Sequence, residues 1–128
     1  MNVLLVSDKR TIRFPKVNGV ESIRSVKTYK SERDRIYETD VIVTDESVDA
    51  ATIEIIRADF EESIIVGTGP DKKYKLDFGT NAYLQKPYTQ EQLFQAIALG
   101  GLTHYLLVTF PLDLDIKNKM AKKNIYCF

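Results

Sequence analysis

The sequence lacks the marks of secreted, disulfide-bonded and polyanion-binding proteins. Its one cysteine, Cys127, excludes an internal disulfide and a cysteine-based metal cluster, and it favours a reducing compartment. Lys and Arg number 18, as do Asp and Glu, so the net charge is zero. The molecule as a whole therefore has no field that would draw it to nucleic acid or to an anionic membrane, and such binding would need a local patch of charge.

Long hydrophobic runs are also missing. The apolar run at the amino end covers only residues 3–6 and precedes its positive charges, which is not the order of a signal peptide. Later runs, such as residues 105–110, fall far short of the roughly 20 apolar residues of a membrane span. We therefore predict a soluble cytoplasmic protein with no membrane partner, and its 128 residues are enough for one domain.

Short apolar runs alternate with helix-like segments. The runs, which are uniformly apolar and rich in β-branched residues, predict strands buried on both faces of a parallel sheet; they are residues 3–6, 41–44, 64–66 and 82–84. Residues 49–59 carry an apolar stripe at helical spacing. Thr89 and Gln92 form a capping box, and the helix that follows is predicted to end at Gly100 and Gly101. The alternation indicates a doubly wound α/β domain.

The first third and the carboxyl end are less regular. Residues 9–20 contain Pro15 and Gly19 and predict a first helix that is short or irregular. Two further elements are expected to follow, a second strand in residues 22–29 and a short polar helix in residues 31–38. After the expected domain, residues 1–101, the extension 102–128 includes a β-prone run, which would form an extra strand or an oligomerisation segment.

Polar residues follow the predicted strands. They are Ser7 and Asp8, Asp45, Thr68, and Lys86. Ligands of open parallel sheets bind at the carboxyl ends of the strands, so these side chains are expected to share one edge. Two carboxylates, a hydroxyl and an ammonium group suit a hard divalent cation together with a phosphoryl group.

The order and local context of these residues resemble the receiver domain of bacterial two-component response regulators. The resemblance covers about residues 2–100 and is carried by the segments VLLVSD, DVIVTD, SIIVGTG and GTNAYLQKPYTQEQL. It implies a flavodoxin-like fold with five parallel strands in the order 2-1-3-4-5. It also implies phosphorelay signalling, with a sensor histidine kinase or phosphotransfer protein as donor and a downstream protein as partner. No enzyme activity is implied beyond self-phosphorylation and autodephosphorylation.

The resemblance assigns a role to each matching residue. Asp45 would be the phosphoryl acceptor, and Mg²⁺ would be held by Asp8, Asp45 and the main-chain carbonyl of Ser47. Thr68 and Lys86 would contact the phosphoryl group. Tyr83 falls at the aromatic switch position, whose rotamer would report the phosphorylated state to a partner.

The sequence also departs from the receiver pattern. Ser7 replaces the first acid of the acidic pair, which should weaken Mg²⁺ binding. The loop after Asp45 lacks the usual proline, and the short spacing between Thr68 and Lys86 predicts a stunted helix around residues 71–78. These departures favour an alternative, a pseudo-receiver that acts without phosphorylation as a protein interaction or dimerisation module.

Simpler interpretations remain for single residues. Asp8 would serve equally as a turn or N-cap residue, Thr68 as part of a GTGP turn, and Lys86 as a solvated lysine before proline. Tyr83 would be a half-buried strand aromatic. A second alternative is a nucleotide or flavin binder that uses the GTGP turn, although one glycine turn is a weak signal. His104 has no second ligand at metal spacing, and the lysines near the carboxyl end indicate a solvated surface rather than a nucleic-acid contact.

Overall fold

The computed structural model describes residues 1–70, 79–109 and 126–127. The strands of this part are β1 (Asn2–Val6), β2 (Ser22–Val26), β3 (Val41–Thr44), β4 (Ile64–Gly69), β5 (Ala82–Gln85) and β6 (Tyr126–Cys127). All are parallel and form one sheet in the order β2-β1-β3-β4-β5-β6. The first five strands confirm the predicted order 2-1-3-4-5, and β6 adds a two-residue edge.

Three α-helices accompany the sheet in the described ranges. They are α1 (Tyr29–Glu32), which continues into a 3₁₀ turn (Arg33–Arg35), α2 (Ala50–Asp59) and α3 (Gln90–Thr109). Residues 7–21, between β1 and β2, contain no helix, in keeping with the irregularity that Pro15 and Gly19 predict. The helix expected around residues 71–78 lies outside the described residues. Among the described residues, none of the helices combines the length and the hydrophobicity that a membrane-spanning segment needs.

Each face of the sheet is covered by a separate apolar cluster, as a doubly wound fold requires. Under α3 the first cluster includes Leu5, Val43, Val66, Leu84, Leu93 and Ala96. Under α1 and α2 the second includes Leu4, Tyr29, Ile42, Ile56 and Ile65. Successive strand residues point to opposite faces, so a strand with helices on both sides must be apolar throughout. This explains the unbroken burial of β3.

The helix starts follow their local sequence signals. Asp49 caps α2, its side chain accepting a hydrogen bond from the main-chain N–H of Thr52 at 2.7 Å. The capping box at the start of α3 is confirmed, because Thr89 Oγ1 accepts from the Gln92 N–H at 3.1 Å and Gln92 Oε1 accepts from the Thr89 N–H at 2.9 Å.

The predicted end of α3 is wrong. The helix continues through Gly100 and Gly101 to Thr109, so it crosses the boundary predicted at residue 101 and includes most of the β-prone run. A Cβ atom on Gly100 would lie 3.0 Å from Asn81 Cβ and 3.1 Å from Ile64 Cγ2. The glycine therefore allows close approach of α3 to the sheet, and it does not terminate the helix.

The β-prone run does not form the extra strand, because residues 105–109 belong to α3. A two-residue strand, β6, lies outside that run, near the carboxyl end. In β6, Tyr126 is in register with Ala82 and Cys127 with Tyr83, both of β5. The strand therefore covers part of the β5 edge, which would otherwise offer unpaired main-chain groups to another chain.

Candidate functional site

The carboxyl edge of the sheet gathers the residues that the sequence singles out. Asp8 lies two residues beyond β1, Asp45 directly follows β3 and Lys86 directly follows β5. Thr68 lies inside β4, one residue before its end, and not beyond the strand as expected. Because the strands are parallel, all four positions lie at the same edge.

Asp45 is a buried carboxylate surrounded by hydroxyl groups, with 6% of the residue exposed. Its Oδ1 accepts hydrogen bonds from the Ser47 main-chain N–H, at 3.0 Å, and from the Ser47 hydroxyl. Its Oδ2 accepts from the Ser7 hydroxyl and, at 3.4 Å, from Thr11 Oγ1. A buried charge is tolerated when it is hydrogen-bonded in this way.

These contacts decide the charge of Asp45. Burial by itself would raise the pKa of the carboxyl group, but the hydrogen bonds from Ser47 and Ser7, together with the positive charge of Lys86, lower the pKa below its usual value. Asp45 is therefore an anion at neutral pH.

A pH dependence follows from this lowered pKa. Ionised Asp45 contributes stability above its unfolded pKa of about 3.9, and that contribution is lost as the pH falls through the lower folded pKa. We expect the difference in unfolding free energy between the wild type and Asp45→Asn to shrink as the pH falls below about 4. Urea titrations over this range measure it. Glu54→Gln, at an exposed position, is the control, and a difference that stays constant with pH would contradict the prediction.

Asp8 is joined to Asp45 through Ser47. The residue is exposed, and its main-chain N–H donates to Ser47 Oγ at 2.9 Å, while the same hydroxyl donates to Asp45. These contacts join the main chain of Asp8, the Ser47 hydroxyl and the Asp45 carboxylate. They do not involve the Asp8 carboxylate or the Ser47 main-chain carbonyl, which with Asp45 are the predicted metal ligands.

The chemistry of these donors fits Mg²⁺. All are oxygen atoms, and Mg²⁺ commonly needs only one or two carboxylates besides waters and a phosphate. Within the described ranges, no group of three or more His, Cys, Asp or Glu side chains is arranged to hold a metal. Ser7 is one reason why such a group is missing there, since its hydroxyl occupies the position at which the receiver pattern has an acid.

Thr68 and Lys86 have partners other than the Asp45 carboxylate. The buried Thr68 hydroxyl donates to the main-chain carbonyl of Thr44 at 2.8 Å. Lys86 Nζ lies 3.0 Å from Glu46 Oε2, in a partly exposed ion pair that the sequence did not predict. Lys86 therefore acts on Asp45 through its charge.

Tyr83 lies beside the site, against two glycines of β4. A Cβ atom on Gly69 would lie 2.6 Å from the Tyr83 hydroxyl oxygen, and one on Gly67 would lie 3.6 Å from Tyr83 Cδ2. Tyr83, Thr68 and Asp45 line a common cavity of about 320 Å³. Thr80 lines it as well, and its buried hydroxyl oxygen has no hydrogen-bond partner among the residues that the structure describes. The predicted switch residue thus borders the candidate acceptor.

Sequence reasoning missed Thr11, Glu46 and Tyr88. Burial raises the pKa of Tyr88, and so does the negative charge of Asp45. Tyr88 and Thr11 line one groove of about 820 Å³. The only signal for Tyr88 was its place directly after the Lys86–Pro87 pair, and nothing in the irregular residues 9–20 marked Thr11.

Comparison with known proteins identifies the fold. No protein-family model and no curated protein sequence matches the chain. Among solved structures, the isolated REC domain of RcsB from Salmonella enterica serovar Typhimurium, determined with the phosphomimetic BeF3−, matches with a TM-score of 0.60 and 16% identity. The match covers 77% of this chain and 86% of that domain.

Two further structures agree. A LuxR family DNA-binding response regulator from Silicibacter pomeroyi matches with a TM-score of 0.59 and 13% identity, over 80% of this chain and 93% of that one. The signal receiver domain of an HD domain-containing protein from Pseudomonas fluorescens Pf-5 matches with a TM-score of 0.58 and 12% identity, over 81% and 96% of the two chains. The chain therefore has the fold of response-regulator receiver domains.

Proposed function

We propose that the chain is a signalling receiver that accepts a phosphoryl group on Asp45. The observation that carries this proposal is the placement of the hydrogen-bonded Asp45 carboxylate directly after the central strand β3, with the Thr68 hydroxyl on the neighbouring strand and Lys86 one strand further. The donor would be a phosphohistidine on a sensor histidine kinase or a phosphotransfer protein. A downstream protein would receive the signal, and the cytoplasm would be the compartment.

The transfer is a nucleophilic displacement at phosphorus. An Asp45 carboxylate oxygen forms a bond to phosphorus while the P–N bond of the phosphohistidine breaks, and the leaving imidazole keeps the electron pair and takes up a proton from water. The product is an acyl phosphate. Mg²⁺, held by Asp8, Asp45 and the Ser47 carbonyl, would neutralise phosphoryl charge. The Thr68 hydroxyl would leave the Thr44 carbonyl to reach the product.

A second function is favoured by the same contacts. Hydroxyl groups already satisfy both oxygens of Asp45, and Lys86 is paired with Glu46. In a phosphorylation-independent receiver, Asp45 would be a structural anion and the fold would serve protein interaction alone. The two functions differ in whether an Asp45 oxygen is released from its hydroxyl donors to attack a phosphoryl donor.

Acetyl phosphate distinguishes the two functions. We expect the intact mass of the purified chain to increase by one phosphoryl group in acetyl phosphate and Mg²⁺, and we expect no increase for Asp45→Asn. A parallel incubation with EDTA tests the metal requirement. If the folded wild type gains no mass with Mg²⁺ present, the acceptor proposal is wrong and the phosphorylation-independent function is supported.

A further inference from the structure

The zero net charge conceals two strongly charged segments. Residues 9–35 contain nine Lys and Arg against three Asp and Glu, whereas residues 36–62 contain nine Asp and Glu against a single Lys or Arg. The molecule therefore has local charge patches of opposite sign, which can act at short range although the total is zero.

The fold places these segments on neighbouring elements. The second half of the basic segment, residues 22–35, forms the outer strand β2, α1 and the 3₁₀ turn, and it contains five of the nine Lys and Arg and two of the three acids. We define four of its exposed basic residues, Arg24, Lys27, Lys30 and Arg35, as the basic edge. The acidic segment forms β3, α2 and their flanking loops, and we define its exposed residues Glu38, Glu54, Glu61 and Glu62 as the acidic face.

A hydrogen-bonded junction holds the two patches next to each other. Arg33 Nη2 lies 2.7 Å from Asp59 Oδ1 at the end of α2. The buried Tyr29 of α1 donates its hydroxyl hydrogen bond to Asp59 Oδ2 at 2.6 Å. Tyr29 also packs into the apolar cluster that includes Ile56 of α2. This packing fixes α1 and α2, and therefore the two patches, relative to each other.

A surface with adjacent positive and negative patches is complementary to itself under a two-fold rotation. We propose that two copies of the chain associate through this surface, so that the basic edge of each copy contacts the acidic face of the other. The contact forms twice in one dimer. It does not require a phosphoryl group on Asp45, so it stands or falls independently of the acceptor proposal.

Charge also argues against other occupants. Sheet extension through two antiparallel β2 strands would bring Arg24, the middle residue of β2, towards its own copy, and such a charge protects an edge strand from pairing. A polyanion bound to the basic edge would meet the neighbouring acidic face. A second copy satisfies both patches at once.

Salt provides the first test. We expect sedimentation equilibrium to detect a dimer at about 0.01 M salt and a monomer at about 1 M salt, because the screening length falls from about 30 Å to about 3 Å. A wild-type chain that stays monomeric at low salt up to a protein concentration of about 1 mM would overturn the proposal.

Charge reversal provides the second and sharper test. The variants Lys27→Glu/Lys30→Glu and Glu61→Lys/Glu62→Lys should each self-associate at least about tenfold more weakly than the wild type. An equimolar mixture of the two should restore the dimer, because all contacts are then attractive. The matched control, Lys9→Glu/Lys16→Glu, makes the same change in net charge at exposed residues outside the basic edge and should dimerise like the wild type.

Circular dichroism confirms that each variant is folded before its mass is measured. Failure of the mixture to associate, or a control that loses the dimer as fully as Lys27→Glu/Lys30→Glu does, would contradict the proposed surface. The two variants have formal net charges of −4 and +4, because the wild type has a net charge of zero and each variant reverses two charges. A mixture of Lys9→Glu/Lys16→Glu with Glu61→Lys/Glu62→Lys has the same two net charges, so it measures general attraction and should associate more weakly than the mixture with Lys27→Glu/Lys30→Glu.

Discussion

Arg57→Met is expected to lower the free energy of unfolding by about 3 to 5 kcal/mol, since several acceptors lose their donor together. Arg57 donates to the carbonyl of Gly79 from Nε at 3.0 Å and from Nη2 at 2.5 Å, to Ser63 O at 2.6 Å and to Asn81 Oδ1 at 2.6 Å. Two further carbonyls, of Phe60 and Glu61, accept at 3.1 Å. One side chain thus ties the end of α2 to the segments that enter β4 and β5.

The guanidinium group fits this role because it offers five N–H donors in a planar fork. Burial lowers the pKa of Arg57 to about 10, which leaves it charged at neutral pH. Gly79 has a φ of +102°, and a Cβ atom there would lie 2.8 Å from Arg57 Cβ. Glycine at this position therefore lets its carbonyl approach the fork.

Urea denaturation at neutral pH measures the loss. Arg57→Lys should recover less than half of the stability, because an ammonium group cannot form the planar set of bonds. Arg35→Met, at an exposed position, is the matched control and should change the unfolding free energy by less than about 0.5 kcal/mol. A loss in Arg57→Met no greater than that of the control would show that the hydrogen bonds contribute nothing net.

Ser7→Asp is expected to destabilise the metal-free chain by about 3 kcal/mol at neutral pH. Ser7 is 1% exposed, and its hydroxyl donates to Asp45. A carboxylate there would replace a donor by a second buried negative charge beside the first. Protonation relieves this repulsion, so the penalty should decrease as the pH is lowered. Mg²⁺ should also relieve it, because the substitution restores the acidic pair of the receiver pattern.

Thermal unfolding in EDTA and in Mg²⁺ tests this expectation. Ser7→Ala removes the same hydrogen bond without adding charge, so it should cost about 1 kcal/mol and respond to Mg²⁺ no more than the wild type does. If Ser7→Asp is as stable as Ser7→Ala in EDTA, the two side chains do not share one desolvated site. If Mg²⁺ fails to raise its melting temperature, the proposed metal ligands are wrong.

Some features of the fold could be predicted from local sequence because local physics decides them. Residues 3–6 and 41–44 are apolar except for Thr44, and such short, β-branched runs favour strands covered on both faces. The capping box of Thr89 and Gln92 satisfies main-chain donors within one turn of helix. Neither feature depends on what lies across the molecule, and both are confirmed.

The two glycines of α3 show a feature that local sequence signals do not predict correctly. Gly100 and Gly101 match the pattern of a helix end, but α3 continues past them. A Cβ atom at Gly100 would lie 3.0 to 3.1 Å from Asn81 and Ile64, so glycine suits a close approach of the helix to the sheet at this position. A glycine that ends a helix and one that permits close packing look alike in sequence. Only the opposing surface distinguishes them.

In the candidate site, the location of the residues could be predicted from the sequence, but their contacts could not. Parallel strands bring their carboxyl ends to one edge, so a parallel sheet was enough to predict that Asp45, Thr68 and Lys86 share that edge. The hydrogen-bond partners were not predictable, because Ser7 lies 38 residues from Asp45 and Glu46 lies 40 residues from Lys86. Side-chain rotamers and packing select such partners.

By itself the sequence determined a doubly wound parallel sheet, the edge at which its polar residues meet, and the two segments of opposite charge. Only the tertiary structure decided that hydroxyl groups surround Asp45 and that α3 continues through Gly100 and Gly101. It also decided that an ion pair between Arg33 and Asp59 connects the two charged patches. The physical reason is range: strand and helix signals act within a few residues, whereas side-chain contacts depend on groups that the fold brings together from distant parts of the chain.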